Sequence, residues 1–341
     1  MSVLRILHLV GSAENDFYCD LSRLYAKDCI AATMNRSVYE FLIAYISPGG
    51  QWCFPLSLSQ EDIAAAERFS LAGAIDWITS QKIDVVLPQM FCLGGMTKYR
   101  GLFDLLGIPY VGNTSGVMAL AANKAKTKAV VAAAGVKVVN GKLLRFGDRA
   151  TIKPPIVIKP SNSDNSFGVS LVKNLSDYDR ALKTAFEYSE EVLVEEYIEL
   201  GREVRCGVIE QKGNLVNLPL EEYLMDVKDR PIRQYIDKLK RAKDGELDFS
   251  AKEEGQAWIV DLTDPLTEKV QEMARKCHQA LGCRHYSLFD FRIDSEGQPW
   301  FLEAGLYCSF APKSVIPSLA KASGLPLDKL LSIALEEALN C

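Results

Sequence analysis

Histidine is nearly absent from this 341-residue chain: there are three, His8 in an apolar stretch and His278 and His285 seven positions apart. None has a zinc-ligand spacing or stands beside a Ser or Cys motif, which argues against zinc hydrolysis and Ser/His chemistry. Long apolar runs are missing as well. No uncharged stretch approaches the roughly 20 residues needed to span a bilayer, and the apolar start, Met1 to Val10, is interrupted by His8 and too short for a secretory signal. No block of like charge stands out, and 39 Lys+Arg against 44 Asp+Glu leave a net charge of −5. Nucleic acid and membrane surfaces are therefore not expected partners. The nine cysteines contain no CxxC pair and read as small buried apolar residues in a reducing compartment. A cytoplasmic protein that handles small molecules is the expectation.

What is present is a regular alternation of elements. At roughly 150 residues per domain the length allows two or three domains. Residues 3–10, 39–46 and 83–88 read as strands, and a capped helix start at Ser59-Gln60-Glu61-Asp62 precedes an apolar face running from Ile63 to Ile78. Strands separated by helical stretches predict a parallel, doubly wound sheet with a crevice at the strand ends, near Gly11–Asp16 and Met90–Lys98. A Lys/Ala-rich helix, Val117 to Ala134, leads into an α+β unit containing the strands Ile156–Pro160 and Val192–Glu196. A hairpin turns at Lys212-Gly213-Asn214, residues 226–254 read as a charged lid-like loop, and Asp264-Pro265 opens a helix that Gly282 ends. Three units follow: 1–113, 114–197 and 198–341.

The segment from Tyr286 to Ser314 carries the most chemistry. Tyr286–Ile293 and Pro299–Ala304 read as a hairpin, and counting back from a four-residue turn, 295–298, sets Asp290 opposite Glu303. Two carboxylates about 5 Å apart on one face repel unless a cation lies between them, and oxygen ligands without Cys or His suit Mg²⁺. A register slipped by one residue would instead turn one of them to solvent. Lys159 ends a β-branched strand, where charge is uncommon without a partner or ligand. The loop Asn165-Ser166-Phe167-Gly168 offers backbone N–H groups for phosphate, though such runs are also plain turns. Lys124, among Lys126 and Lys128, suits either a phosphate or a solvated basic face. Glu195, Glu196, Ile198 and Glu203 suit a connector that holds an adenine and a ribose.

In this order the segments resemble the ATP-grasp ligases, most closely the D-alanine–D-alanine ligase branch, over almost the whole chain. The resemblance rests on Ile-Pro-Tyr-Val-Gly (108–112), Val-Ile-Lys-Pro-Ser (157–161), Val-Leu-Val-Glu-Glu (192–196), Asp-Ser-Glu-Gly-Gln (294–298) and Leu-Glu-Ala (302–304). It implies an N-terminal doubly wound substrate domain, two α+β domains that grip ATP, and a homodimer. It also implies Lys124 and Lys159 on the phosphates, Glu195 and Ile198 at the adenine, Glu203 at the ribose, and Asp290 and Glu303 on magnesium. Lys238 would match the lid lysine, Glu14 the acid that faces a substrate amine, and Ser314 the serine that binds the acceptor's carboxylate. The chemistry implied is phosphorylation of a donor carboxylate by ATP, then displacement of phosphate by an amine.

Departures from that pattern concentrate at the donor end. Residues 90–97 lack the branch's His and acid, Leu288 stands where it carries an arginine for the acyl phosphate, and Gly305 stands where it carries a metal-binding Asn. Arg292, on the same strand face as Asp290, is expected to take over the arginine's role. The apolar loop of Met90, Phe91, Leu93 and Met96 suggests a bulkier, less polar donor than alanine. Residues 7–24 and 87–93 are similar to the cyanobacterial mycosporine-glycine ligases of sunscreen biosynthesis, which implies mycosporine-glycine as donor and L-serine or L-threonine as acceptor. The competing readings are a peptidoglycan D-alanine–D-alanine ligase and a non-catalytic nucleotide-binding protein.

Overall fold

Alternating apolar residues build the first sheet and bury both of its faces. In the computed structural model, which describes residues 3–163, 166–226, 231–232, 239–241, 247–249 and 256–340, β1 (Leu4–Gly11) runs parallel to β2 (Tyr39–Ile46) and to β4 (Val85–Pro88), while the two-residue β3 (Trp52–Cys53) pairs antiparallel on the β2 edge. Leu7 and Leu9 pack beneath α3 (Leu71–Ser80) and α5 (Lys98–Leu106). Ile6 and Val10 face α11 (Leu327–Leu339) and α1 (Asp16–Thr33) respectively. The expected helix from Ser59 is two helices: α2 (Gln60–Ala65) stops, and Phe69 pairs with the Trp52 backbone before α3 starts on a Ser70 cap. α4 (Leu93–Met96) is one turn that follows β4, capped by Cys92.

The Lys/Ala-rich helix is also divided. α6 (Ser115–Ala121) ends at Ala122, and the Asn123 side chain caps α7 (Lys124–Ala133), accepting from Lys126 N at 3.0 Å. The break places Lys124 in the first turn of α7. Met118 and Val131 from these helices enter the core of the C-terminal sheet rather than that of the unit that follows them in sequence.

The central sheet is antiparallel, in the order β5 (Gly141–Arg145), β8 (Glu191–Glu196), β6 (Ile156–Pro160), β7 (Ser170–Val172), with α8 (Tyr178–Phe186) across one face. β5 is a mostly exposed edge strand, with only Leu144 buried, and has no counterpart in the sequence reading. β9 (Arg202–Gln211) and β10 (Asn214–Tyr223) form the expected hairpin, β11 (Leu239–Arg241) pairs with β12 (Leu247–Phe249) inside the 226–254 stretch, and β13 (Ala257–Ile259) pairs with β10. The C-terminal sheet is completed by β14 (Tyr286–Ile293) and β15 (Pro299–Ala304), in the order β13-β10-β9-β14-β15. α9 (Leu266–Leu281) covers its inner face, ending at left-handed Gly282, and α10 (Val315–Ala322) lies against β10.

The joint between the first sheet and the C-terminal sheet is tight. Gly112 has φ +97°, and a Cβ there would stand 2.4 Å from the Tyr286 hydroxyl, so Val-Gly-Asn (111–113) admits only glycine at its centre. Asn113 donates to the carbonyls of Tyr286 and Leu306, and His285 Nδ1 accepts from Gly112 N at 2.8 Å.

Candidate active site

A cleft of about 790 Å³, counted to its open mouth, lies between the central and C-terminal sheets. Its walls carry Lys124, Lys159, Ser166, Glu195, Glu196, Ile198, Glu203, Asp290, Arg292 and Glu303. Ten residues chosen from the sequence thus meet in one place. Apolar side chains, Val139, Val157, Val169 and Leu302, fill the wall between them.

Strand register explains the acidic side. Ile293 faces Pro299 and Phe291 faces Phe301, a turn one residue tighter than the count from the sequence. A bulge after Phe291 then takes in Leu302 and restores Asp290 to its place opposite Glu303. Each carboxylate has a cation of the protein: Lys124 Nζ lies 3.6 Å from Glu303 Oε2, and Arg205 Nε lies 3.1 Å from Asp290 Oδ1. The donor set is oxygen alone, which fits Mg²⁺ held through two carboxylates with phosphate oxygens and water in the remaining positions. Among the described residues no third His, Cys, Asp or Glu joins a metal-sized group. Gly305 supplies no side chain, and a Cβ there would meet nothing nearer than Leu288 Cδ2 at 3.9 Å.

The opposite side carries a dry charge cluster. Glu195, 3% exposed, receives Lys159 Nζ at 2.7 Å and is also hydrogen-bonded by Lys128. Burial raises the Glu195 carboxyl, but the two ammonium groups together hold it below the ordinary carboxylate range. Lys128 is pulled down to about 8, by burial first, with Glu195 opposing and Lys159 adding to the drop. Lys128, four residues on from Lys124 and so on the same helix face, reaches Glu195 behind the cleft wall. Lys124 also donates to the Ser163 carbonyl. Ser166 has φ +61° and Gly168 φ +69°, bringing this loop back against Tyr188 and Pro160. Asn165 lies outside the described residues, and so does Lys238. Glu196 is exposed at its end of β8 and accepts from Asn140 Nδ2 at 3.3 Å.

Arg292 lines the cleft with its guanidinium engaged by neighbouring groups. Its guanidinium donates to Ile198 O at 3.1 Å, Glu203 Oε2 at 3.2 Å and Pro231 O at 2.5 Å, and lies 5.3 Å from the centre of the Tyr197 ring. Arg292 stands opposite Glu203 in the β14–β9 ladder, one step along from the Asp290–Arg205 row, while Ile198 and Pro231 lie outside the strands. Its hydrogen bonds therefore order the proposed adenine and ribose contacts, because Ile198 and Glu203 are the groups it ties together.

The residues expected at the crevice of the first sheet lie outside the lining of this cleft. Glu14, exposed, accepts from Gly94 N at 3.0 Å, so the ends of β1 and β4 meet as predicted. Met90, Phe91, Cys92 and Met96 are buried, with the Phe91 ring 4.9 Å from Tyr25 and 5.6 Å from Tyr307. Ser314, half-buried, precedes α10 and shares a hydrogen bond with Ser309. Elsewhere, Ser287, His278 and Glu210 are linked in the order of a catalytic triad, with His278 Nδ1 2.8 Å from the Ser287 hydroxyl. Ser287 is fully buried, so this chain of hydrogen bonds fastens the sheet instead of meeting a substrate. No helix among the described residues is long and apolar enough to cross a membrane.

Known proteins resemble this chain both in sequence and in fold. The family described as D-ala D-ala ligase C-terminus matches residues 146–336. The D-alanine–D-alanine ligase of Geotalea uraniireducens is 33% identical over 250 residues, covering 70% of this chain and 73% of that protein. D-alanine–D-alanine ligase B of Brucella suis is 32% identical over 250 residues, covering 70% and 75%. Among solved structures, the D-alanine–D-alanine ligase from Coxiella burnetii superposes with a TM-score of 0.78 at 21% identity over 99% of this chain and 94% of that one. The VanG D-Ala:D-Ser ligase of Enterococcus faecalis gives 0.77 at 22% identity over 99% and 100%. These likenesses carry the ATP-grasp fold. With more than half its length matched by the family and curated relatives a third identical to it, the chain belongs to the D-alanine–D-alanine ligase family, ADP-forming ligases that work with ATP and Mg²⁺.

Proposed function

We propose that the enzyme joins the carboxylate of a small-molecule donor to the amine of a free amino acid through an acyl phosphate. The observation that carries this reading is the cleft with a carboxylate pair on one sheet and a Lys–Glu–Lys cluster on the other. A metal–triphosphate needs both, anionic ligands for the ion and fixed cations for the phosphates, and no strong side-chain base. Asp290 and Glu303 would hold Mg²⁺, which supplies charge neutralisation where the phosphoryl group transfers. Lys124 and Lys159 bind phosphate oxygens, the Ser166 loop closes over them, and Glu195, Glu196, Ile198 and Glu203 bind the nucleoside, with Arg292 fixing the last two. Glu14 orients the donor, and Ser314 binds the acceptor's carboxylate at the start of α10.

For the donor, two readings have separate support. The names of the relatives favour D-alanine, with D-alanine as acceptor. The apolar stretch around Phe91, whose ring meets those of Tyr25 and Tyr307, would suit a larger, less polar donor, while Met90 and Met96 belong to the core. Mycosporine-glycine, joined to L-serine or L-threonine, is that donor in our reading. A screen for ADP release over donor and amino-acid pairs, with products read by mass spectrometry, separates them. Phosphate release on D-alanine alone, and none on mycosporine-glycine plus threonine, would establish the first reading and overturn the second. Under the second, Phe91→Ala raises KM for mycosporine-glycine about tenfold or more, the scale of losing one large apolar contact, and leaves KM for ATP unchanged. Equal KM values for the donor in both proteins would remove Phe91 from the donor site.

A further inference from the structure

We propose that Arg205 is a catalytic residue, binding the donor carboxylate and the phosphoryl group transferred to it. The inference rests on the ligase reading above. β9 pairs with β14 and β10 so that Glu221, Arg205, Asp290 and Glu303 form one row across four strands, all on the cleft side of the sheet. Val204 and Cys206, on either side of Arg205, face the opposite way into the core beneath α9. A guanidinium there is costly to bury, and its side chain is 13% exposed. It is held in place from two directions. Its carbon lies 4.7 Å over the Tyr223 ring, whose hydroxyl bonds Glu221 at 2.8 Å, and its Nε faces Asp290. That contact falls outside hydrogen-bond geometry, leaving Nε a buried donor without an acceptor among the described residues.

The position matters more than the burial. On one side of Arg205 are the two carboxylates proposed for the metal. On the other is Tyr25 of α1, which packs on Phe91: burial pushes the Tyr25 phenol up to about 12, against the pull of the Arg205 charge. Arg205 thus lies beside the proposed metal carboxylates, with its charge felt at the Tyr25–Phe91 pair. Leu288 and Gly305, beside it, bring no charge, and Arg292 is committed to Ile198, Glu203 and Pro231. A planar fork of donors matches a carboxylate or phosphoryl group in two-point contact.

The step it serves balances simply. A donor carboxylate oxygen bonds to the γ-phosphorus as the bond to the bridging oxygen breaks, its electron pair leaving with ADP. The amine nitrogen then bonds to the acyl carbon, the acyl C–O bond to phosphate breaks, phosphate departs with that pair, and the amine proton passes to water. Negative charge gathers on the phosphoryl oxygens in the first step and on the acyl oxygen in the second, and a fixed cation between metal and donor stabilises both.

The test compares Arg205→Gln and Arg205→Lys with the wild type by titration calorimetry, using MgADP alone and MgADP with aluminium fluoride, a mimic of the transferring phosphoryl group that needs no knowledge of the donor. In Arg205→Gln, MgADP binding is expected within about threefold of wild type and the aluminium fluoride complex weaker by about 100- to 1000-fold, with turnover reduced to match. If Arg205→Gln does not fold, Arg205→Lys keeps the charge and loses the fork, and about a tenfold loss confined to the aluminium fluoride complex is expected. Equal losses for MgADP and for the mimic in either variant would reduce Arg205 to a clamp on Asp290 and overturn the proposal. Failure of the wild type to ligate any acid to any amine would overturn the ligase reading instead, since the calorimetry does not depend on it.

Discussion

On the central sheet one carboxylate, Glu195, serves two ammonium groups, Lys128 and Lys159. On the C-terminal sheet three carboxylates, Glu221, Asp290 and Glu303, share two cations, Arg205 and Lys124. Among these described residues the first cluster carries one positive charge over, the second one negative. Each imbalance has the sign that one half of a metal–triphosphate neutralises. The difference teaches that this enzyme keeps its charged groups in separate, rigid sets, so that nucleotide binding completes a charge distribution that already exists.

The contrast predicts opposite outcomes for removing an acid. On the C-terminal sheet, Asp290→Asn and Glu303→Gln each relieve repulsion in the resting enzyme while taking away a proposed metal ligand. Turnover is expected to fall by about 1000-fold, and urea unfolding to move by less than about 1 kcal/mol. Near-normal rates in both variants would remove the metal assignment. On the central sheet, Glu195→Gln leaves two buried ammonium groups with no counter-charge, and unfolding is expected to lose about 3–5 kcal/mol. Lys128→Met leaves the Lys159–Glu195 pair balanced and costs much less. An equal loss in the two variants would show that the cluster is not a charge balance around Glu195.

How far the sequence disclosed these two sides follows from which signals are local. The hairpin from Tyr286 to Ala304 was legible because strand period and turn residues are local properties, and Asp290 opposite Glu303 was read from them. The bulge at Leu302 that sets the pair was not legible, since nothing in Pro-Trp-Phe-Leu-Glu marks which residue is the extra one. Arg205 shares the period of Glu203 and stood in an otherwise apolar strand, yet its meaning depended on lying between β10 and β14, a pairing that sequence spacing does not state. Lys124 owes its place to the Asn123 cap, which interrupts a run whose Ala and Lys content reads as continuous helix. Arg292 shows the limit of face arguments: it shares the face of Asp290, as read, but its donors go to its own cross-strand partner Glu203 and to the Ile198 carbonyl.

The finest separation between the two sides is by pH. Lys128 is drawn down to about 8 by burial, with Glu195 resisting and Lys159 assisting, whereas its unfolded value is 10.5. Between about 8 and 10.5 the unfolded chain therefore holds the extra proton, and the Lys128 contribution to stability rises with pH across that window. Function should move the other way. Loss of the Lys128 proton removes the positive charge left over on the central sheet, so KM for ATP is expected to rise about 3- to 10-fold between pH 7.5 and 9.5. KM for the donor, which faces the permanently charged Arg205, should stay flat over the same range. Lys128→Met fixes the neutral state, so its KM for ATP should already equal the high-pH value at pH 7.5 and change little above it. A wild-type profile that persisted unchanged in Lys128→Met would place the titrating group elsewhere, and the two sides would then no longer differ in their response to protons.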